Sequence, residues 1–214
     1  ATGVTSVVIT FAEHPLRVLA PPYAPRRLVY PERKVYYMSQ LGVDVLWNVE
    51  FTPEFAAQEP DRFVERVLVG QCGMKAMVCG YDFSFGRSGS GNVGLLRQLS
   101  ASRGFDLDVL EPVSERSVAV KSTQIRDLLF AGRVEDARHL LSRPFELQGE
   151  VTTGFGRGKG IGFPTANLSV SADYCLPARG AYFCLAHMNG ATTIEPAMVN
   201  IGYNPTFGAD RLSI

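Results

Sequence analysis

The chain has 214 residues, 46% of them hydrophobic and 20% charged, which is enough to bury one large core or two small ones and excludes a disordered chain. Lys+Arg and Asp+Glu both number 21, so nothing global favours nucleic acid or an anionic membrane as partner. No apolar run nears the roughly 18 residues of a membrane span, and no charged-then-apolar leader opens the chain.

Val4 to Phe11 is a nearly continuous β-branched run, which predicts a strand covered on both faces. His14-Pro15 ends it, and Pro21, Pro22 and Pro25 mark a loop. Pro31 suits a first helical position, with Val35, Met38 and Leu41 on one face and Gly42 as the stop. Val43 to Val49 reads as the next strand. Pro60 opens a second helix that buries Phe63, Val64, Val67 and Leu68, and Lys75 to Cys79 reads as a third strand. A Gly/Ser-rich loop from Gly80 to Gly94 leads to helical Leu95 to Leu99 and a strand from Phe105 to Leu110. Ser122 to Phe130 and Val134 to Leu141 are short helices either side of Gly132. This alternation predicts one parallel sheet with covering helices, whose ligands gather at the carboxyl ends of its strands.

After Ser142-Arg143-Pro144 the pattern changes. Phe145 to Thr153, Thr165 to Val170, Ala181 to Met188 and Ala197 to Ile201 are strand-like with turns between, which predicts an all-β module. The expected domains are thus residues 1–143 and 144–214. Cys72, Cys79, Cys175 and Cys184 form no C-x-x-C pair and stand apart from His14, His139 and His187, which argues against zinc. Reduced thiols in the cytoplasm are the expectation.

Chemistry concentrates in four stretches. Gly154 to Asn167 (G-F-G-R-G-K-G-I-G-F-P-T-A-N) alternates glycines with Arg157 and Lys159. Gly154, Gly156, Gly158 and Gly160 let backbone amides approach an anion, and the two cations add charge. The loop is not G-x-x-x-x-G-K-[ST], and Ile161 stands where G-x-G-x-x-G needs its third glycine. A β-type segment follows it, so Thr165 and Asn167 would face one side, two hard oxygen donors suited to Mg²⁺ on ATP phosphates. The alternative is that Asn167 serves backbone groups at a strand end.

Asn200 to Gly208, with Asn204-Pro205, is a rigid turn that could stand beside that loop. Gly80 to Gly86 (G-Y-D-F-S-F-G) leaves the third strand where a nucleotide would lie; Asp82 could hold it, or Phe83 and Phe85 could simply cap the core. Ser122-Thr123-Gln124-Ile125-Arg126 opens a helix with two hydroxyls, free amides and a guanidinium one turn in, after Lys121. One hydroxyl is accounted for as an N-cap, and the set together makes a phosphate site. His14 is either structural or a nucleotide contact.

Together S-T-Q-I-R, G-Y-D-F-S-F-G, the P-T-A-N loop and N-P-T-F-G resemble the prokaryotic bifunctional riboflavin kinase/FMN adenylyltransferases, or FAD synthetases, in order across nearly all of the chain. The resemblance implies a Rossmann-like α/β nucleotidyltransferase domain followed by a riboflavin-kinase β-barrel. It implies phosphorylation of riboflavin to FMN and adenylylation of FMN to FAD, with ATP, Mg²⁺ and the flavins as the small molecules bound. Ser122, Thr123 and Arg126 then correspond to the catalytic grip on ATP phosphates in adenylyl transfer, with Asp82 as a polar nucleotide contact. Thr165 and Asn167 correspond to the kinase's metal and phosphate ligands. The chain departs from the family pattern in four respects. It has no H-x-G-H, it carries Lys121 where the family has serine, it has Ala12-Glu13 before His14-Pro15 where the family has an acidic residue then proline, and it stops at Ile214, about where the family's glutamate base is expected. The barrel is accordingly expected to be incomplete. Two other readings stay open: a non-catalytic nucleotide- or flavin-binding relative, and a riboflavin kinase without adenylyltransferase activity.

Overall fold

The computed structural model describes residues 3–115, 118–152, 165–189, 193–204 and 209–214. Packing divides them into two units, one from Ala1–Pro25 with Val35–Val120 and the other from Arg26–Lys34 with Lys121–Ile214. The short segment Arg26–Lys34 is therefore early in the sequence yet part of the second unit.

In the first unit β1 (Val7–Phe11) pairs in parallel with β2 (Val45–Val49). Asp44 pins the start of this pair: its carboxylate accepts from the Ser6 backbone N–H at 2.8 Å and from the Ser6 hydroxyl at 2.7 Å. Those bonds hold the Asp44 carboxyl below the usual carboxylate range. α1 (Pro15–Leu19) and α2 (Pro31–Gln40) lie between the two strands in sequence. After β2 come α3 (Pro53–Ala56) and α4 (Pro60–Arg62), which runs on as a π-helix over Phe63–Gln71. The wider turn is seen where Cys72 N–H donates to the Val67 carbonyl, five residues back, at 2.9 Å. It still buries Val64 and Leu68, with Phe63 and Val67 partly covered, as the hydrophobic spacing predicts.

β3 (Ala76–Gly80) and β4 (Asp106–Leu110) form a second parallel pair, connected through α5 (Val93–Arg103). Leu96, Leu99, Cys79, Phe85 and Phe105 complete the core begun by Val64 and Leu68. A small antiparallel hairpin, β5 (Ser114–Glu115) and β6 (Val118–Ala119), ends the unit.

Two expectations need correction here. The single Rossmann-like sheet is instead two separate parallel pairs among the described residues. Nor is β1 covered on both faces, since Val7 is 45% and Ile9 37% exposed. The physical reason is that β-branched runs report a preference for extended backbone, whereas the number of neighbours is set by tertiary pairing.

The main stretch of the second unit begins with α6 (Ser122–Phe130) and α7 (Val134–Leu141), which bury Ile125, Leu129 and Ala137. β7 (Glu150–Thr152) and β8 (Asn167–Ser169) are antiparallel, and β9 (Gly180–His187), β10 (Ile194–Asn204) and β11 (Ala209–Ser213) form a sheet of order β11-β10-β9. One hydrogen bond, from Leu168 N–H to the Ile214 carbonyl at 2.8 Å, ties β8 to the end of β11. Among the described residues these strands form two antiparallel groups and no closed barrel, in keeping with the expectation of an incomplete one. All four cysteines are free thiols, and burial pushes those of Cys79, Cys175 and Cys184 up, as suits small hydrophobes. No described helix is long and apolar enough to cross a membrane.

Candidate functional site

Among the described residues, the start of α6 brings several anion-binding groups together. Its N-cap is Lys121, whose side chain makes no cap hydrogen bond. Ser122 and Thr123 are the first two helical residues and both are exposed, so neither hydroxyl caps the helix. The expectation that one of them would serve as N-cap is thereby corrected. Helical register explains the outcome, because burial of Ile125 and Leu129 sets which residue stands first, and that outweighs a cap preference of about 1 kcal/mol. Ile125 N–H is the first to find a helical acceptor, the Lys121 carbonyl at 3.2 Å. The amides before it lack a helical acceptor, and the exposed Ser122 and Thr123 belong to this same first turn.

Arg126, half-buried one turn in, is not a loose cation. Its Nε donates to the Arg26 carbonyl at 2.7 Å. That leaves its two terminal amino groups for a bidentate partner, the geometry that suits phosphate.

In the first unit His14 takes a structural position. It is the N-cap of α1, where its Nδ1 accepts from Leu16 N–H at 3.2 Å. Asp82 is exposed in the turn that follows β3 at its carboxyl end. The aromatics beside it do pack inward: Phe85 is 9% exposed, and Phe83 stacks on it with centroids 5.5 Å apart. The loop is pinched at Phe85 and Gly91, which exchange backbone hydrogen bonds at 3.1 and 2.8 Å. Asp82 is thus carried by a loop whose aromatics belong to the core.

In the second unit Asn167 opens β8 opposite Thr152, and Thr165 lies exposed two residues before it. Gly154, Gly156, Arg157, Gly158, Lys159 and Gly160 lie outside the described residues. Asn204 ends β10 opposite Ala209, with its side chain outside the description. Sequence reasoning did not single out a cavity of about 430 Å³ walled by Phe130, Leu176, Ile201 and Leu212, with Arg179 5.3 Å from the Tyr203 ring centroid. It also passed over Arg26, which holds Arg126; a backbone acceptor leaves no sequence signal.

The family model described as FAD synthetase matches residues 1–124, and the one described as riboflavin kinase matches residues 141–214. The chain belongs to the FAD synthetase family, and a riboflavin kinase segment follows in sequence. Two relatives described as bifunctional riboflavin kinase/FMN adenylyltransferase, from Listeria monocytogenes and Bacillus subtilis, are each 36% identical over 98% of this chain. The chain spans 66% and 65% of their respective lengths. A crystal structure titled as a macrolide-efflux protein from Streptococcus pneumoniae matches with TM-score 0.84 and 28% identity, over 98% of this chain and 67% of that one.

Proposed function

We propose that this protein makes flavin cofactors in two ATP-dependent steps, with an adenylyltransferase domain over residues 1–143 and a kinase domain over 144–214. In the first step the terminal ribityl hydroxyl of riboflavin attacks the γ-phosphorus of ATP and loses its proton. FMN forms and ADP leaves. In the second an FMN phosphate oxygen attacks the α-phosphorus of another ATP, and pyrophosphate leaves as FAD forms. The observation that carries this reading is the start of α6, which has no side-chain cap, two exposed hydroxyls and an anchored Arg126, in a chain that matches both families in series.

Ser122, Thr123 and Arg126 then hold ATP phosphates and stabilise the charge that develops during transfer. Asp82 and His14 serve as nucleotide contacts in the first domain. Gly154 to Gly160, with Arg157 and Lys159, cradles the kinase's nucleotide, and Asn204 stands beside it.

For Mg²⁺ the donors are the Thr165 hydroxyl and the Asn167 amide oxygen. Thr165 is exposed, Asn167 opens β8, and no group of three His, Cys, Asp or Glu side chains among the described residues could cage a metal. Two neutral oxygens fit an ion that arrives on ATP phosphates and keeps several waters. Bound there, the ion would draw charge from the phosphate oxygens.

Full-length protein incubated with riboflavin, ATP and Mg²⁺ is expected to yield FMN and then FAD by chromatography. Absence of FMN would overturn the kinase assignment, and FMN without FAD would overturn the adenylyltransferase half.

A further inference from the structure

The segment Arg26–Lys34 is fastened within the second unit by three separate devices. At its start, Arg27 forms a parallel bridge with Tyr174: Arg27 N–H donates to the Asp173 carbonyl, and Cys175 N–H donates to the Arg27 carbonyl, both at 2.8 Å. In its middle, the Tyr30 ring lies on the Tyr174 ring with centroids 3.8 Å apart and planes 16° from parallel. The Tyr30 hydroxyl donates to the Gln148 carbonyl at 2.8 Å and accepts from Gln148 N–H at 2.9 Å, so it is used in both directions. Towards its end, Arg33 grips Glu146 through two bonds of 2.8 Å, from Nε to Oε2 and from Nη2 to Oε1. Tyr30 is 8% exposed, and burial pushes its phenol up, so the hydroxyl stays a donor at neutral pH.

This strap ends on the group that holds Arg126. The Arg26 carbonyl, one residue from the Tyr174 bridge, accepts from Arg126 Nε at 2.7 Å. A guanidinium is planar, so fixing Nε sets the directions of both terminal amino groups. A phenol that pins the strap therefore acts on Arg126 without touching it.

We propose that Tyr30 is a positioning residue for adenylyl transfer: by pinning Arg26–Lys34 to Gln148 it holds the Arg26 carbonyl where it orients the Arg126 guanidinium toward the ATP phosphates. The proposal rests on the reading of α6 as the phosphate grip. It links a backbone pair in the kinase segment to a residue of the adenylyltransferase motif, so one part of the protein tunes the geometry of the other.

The test is a double-mutant cycle in the full-length protein, with kcat/KM for FAD formation from FMN and ATP as the readout. Tyr30→Phe keeps the stacked ring and removes only the hydroxyl. It is expected to lower kcat/KM by about fivefold or more, because small misplacements of charge-stabilising groups are costly. In an Arg126→Lys background, which already lacks the oriented fork, the same change is expected to cost less than about twofold. A purely structural role for Tyr30 would lower the rate equally in both backgrounds, and that result overturns the proposal. So does an unaffected Tyr30→Phe protein alongside a slowed Arg126→Lys one, an outcome that leaves the reading of α6 intact. If Arg126→Lys itself has no effect, the reading of α6 fails and the proposal with it. Should Tyr30→Phe not fold, Glu146→Gln, which loosens the strap at its other end, enters the same cycle with the same expectations.

Discussion

Ser122 and Thr123 separate two jobs that a hydroxyl at a helix start usually combines. Because Lys121 occupies the cap position and both side chains are exposed, removing either hydroxyl breaks no hydrogen bond of the described fold. Alanine is also a better helix former than serine or threonine by a few tenths of a kcal/mol. Ser122→Ala and Thr123→Ala are therefore expected to melt at or slightly above the wild-type temperature. If the hydroxyls hold ATP phosphate, each substitution forfeits a hydrogen bond to a charged group, about 1.5–3 kcal/mol, and slows FAD formation by about tenfold or more. Melting curves beside turnover decide the matter: stability lost in step with activity would make the hydroxyls structural. His14, which the sequence reads as either structural or a nucleotide contact, does cap its helix: its ring accepts at the start of α1. Pro15 accounts for that position, since proline favours the first helical residue and makes the one before it the cap.

At the scale of elements, helices were more legible than strand partnerships. The burial of Val64 and Leu68 follows from their spacing, even though the helix that carries them is π-helical rather than α-helical. Spacing cannot reveal that difference, because positions four apart share a face in either form. The Gly80–Gly94 loop was legible as glycine-rich, but not which glycines are obligatory. Gly86 has φ +72°, and a Cβ there would lie 2.6 Å from the Pro60 Cβ, while one at Gly91 would lie 2.7 Å from the same atom and 2.8 Å from the Phe85 ring. The loop thus closes directly over the start of α4. Gly86→Ala combines backbone strain with overpacking, and is expected to destabilise by about 2–4 kcal/mol. Gly89→Ala serves as the comparison: it also has positive φ, at +66°, but its nearest neighbour would be an uncrowded 3.7 Å away, so it should cost only about 1 kcal/mol. Denaturant midpoints of the two variants measure the difference, and equal losses would show that the approach of Pro60 contributes nothing.

For the whole molecule, the division into two units crosses the order of the sequence. Nothing in Arg26–Lys34 signals this, because its partners Glu146 and Gln148 stand 113 and 118 residues away. Local pattern reads helix and turn; it does not read an arginine and a tyrosine reserved for a distant strand entry. The two units have separate buried centres, Leu96 and Val64 fully buried in one and Leu129 and Cys175 in the other. Leu96→Ala and Leu129→Ala each leave a cavity in one centre, at about 2–5 kcal/mol. Hydrogen exchange under native conditions resolves which amides each substitution exposes. Leu96→Ala should speed exchange across α5 and the β3–β4 pair and leave Cys175 N–H protected. Leu129→Ala should do the reverse, and it should also speed exchange at Arg27 N–H, whose acceptor is the Asp173 carbonyl. That last amide is decisive, because it lies between α1 and α2 in sequence and would follow the first unit if chain proximity governed its stability. Release of Arg27 with the Leu96 variant instead would show that the strap belongs energetically to the first unit, and that Arg126 is oriented from that side.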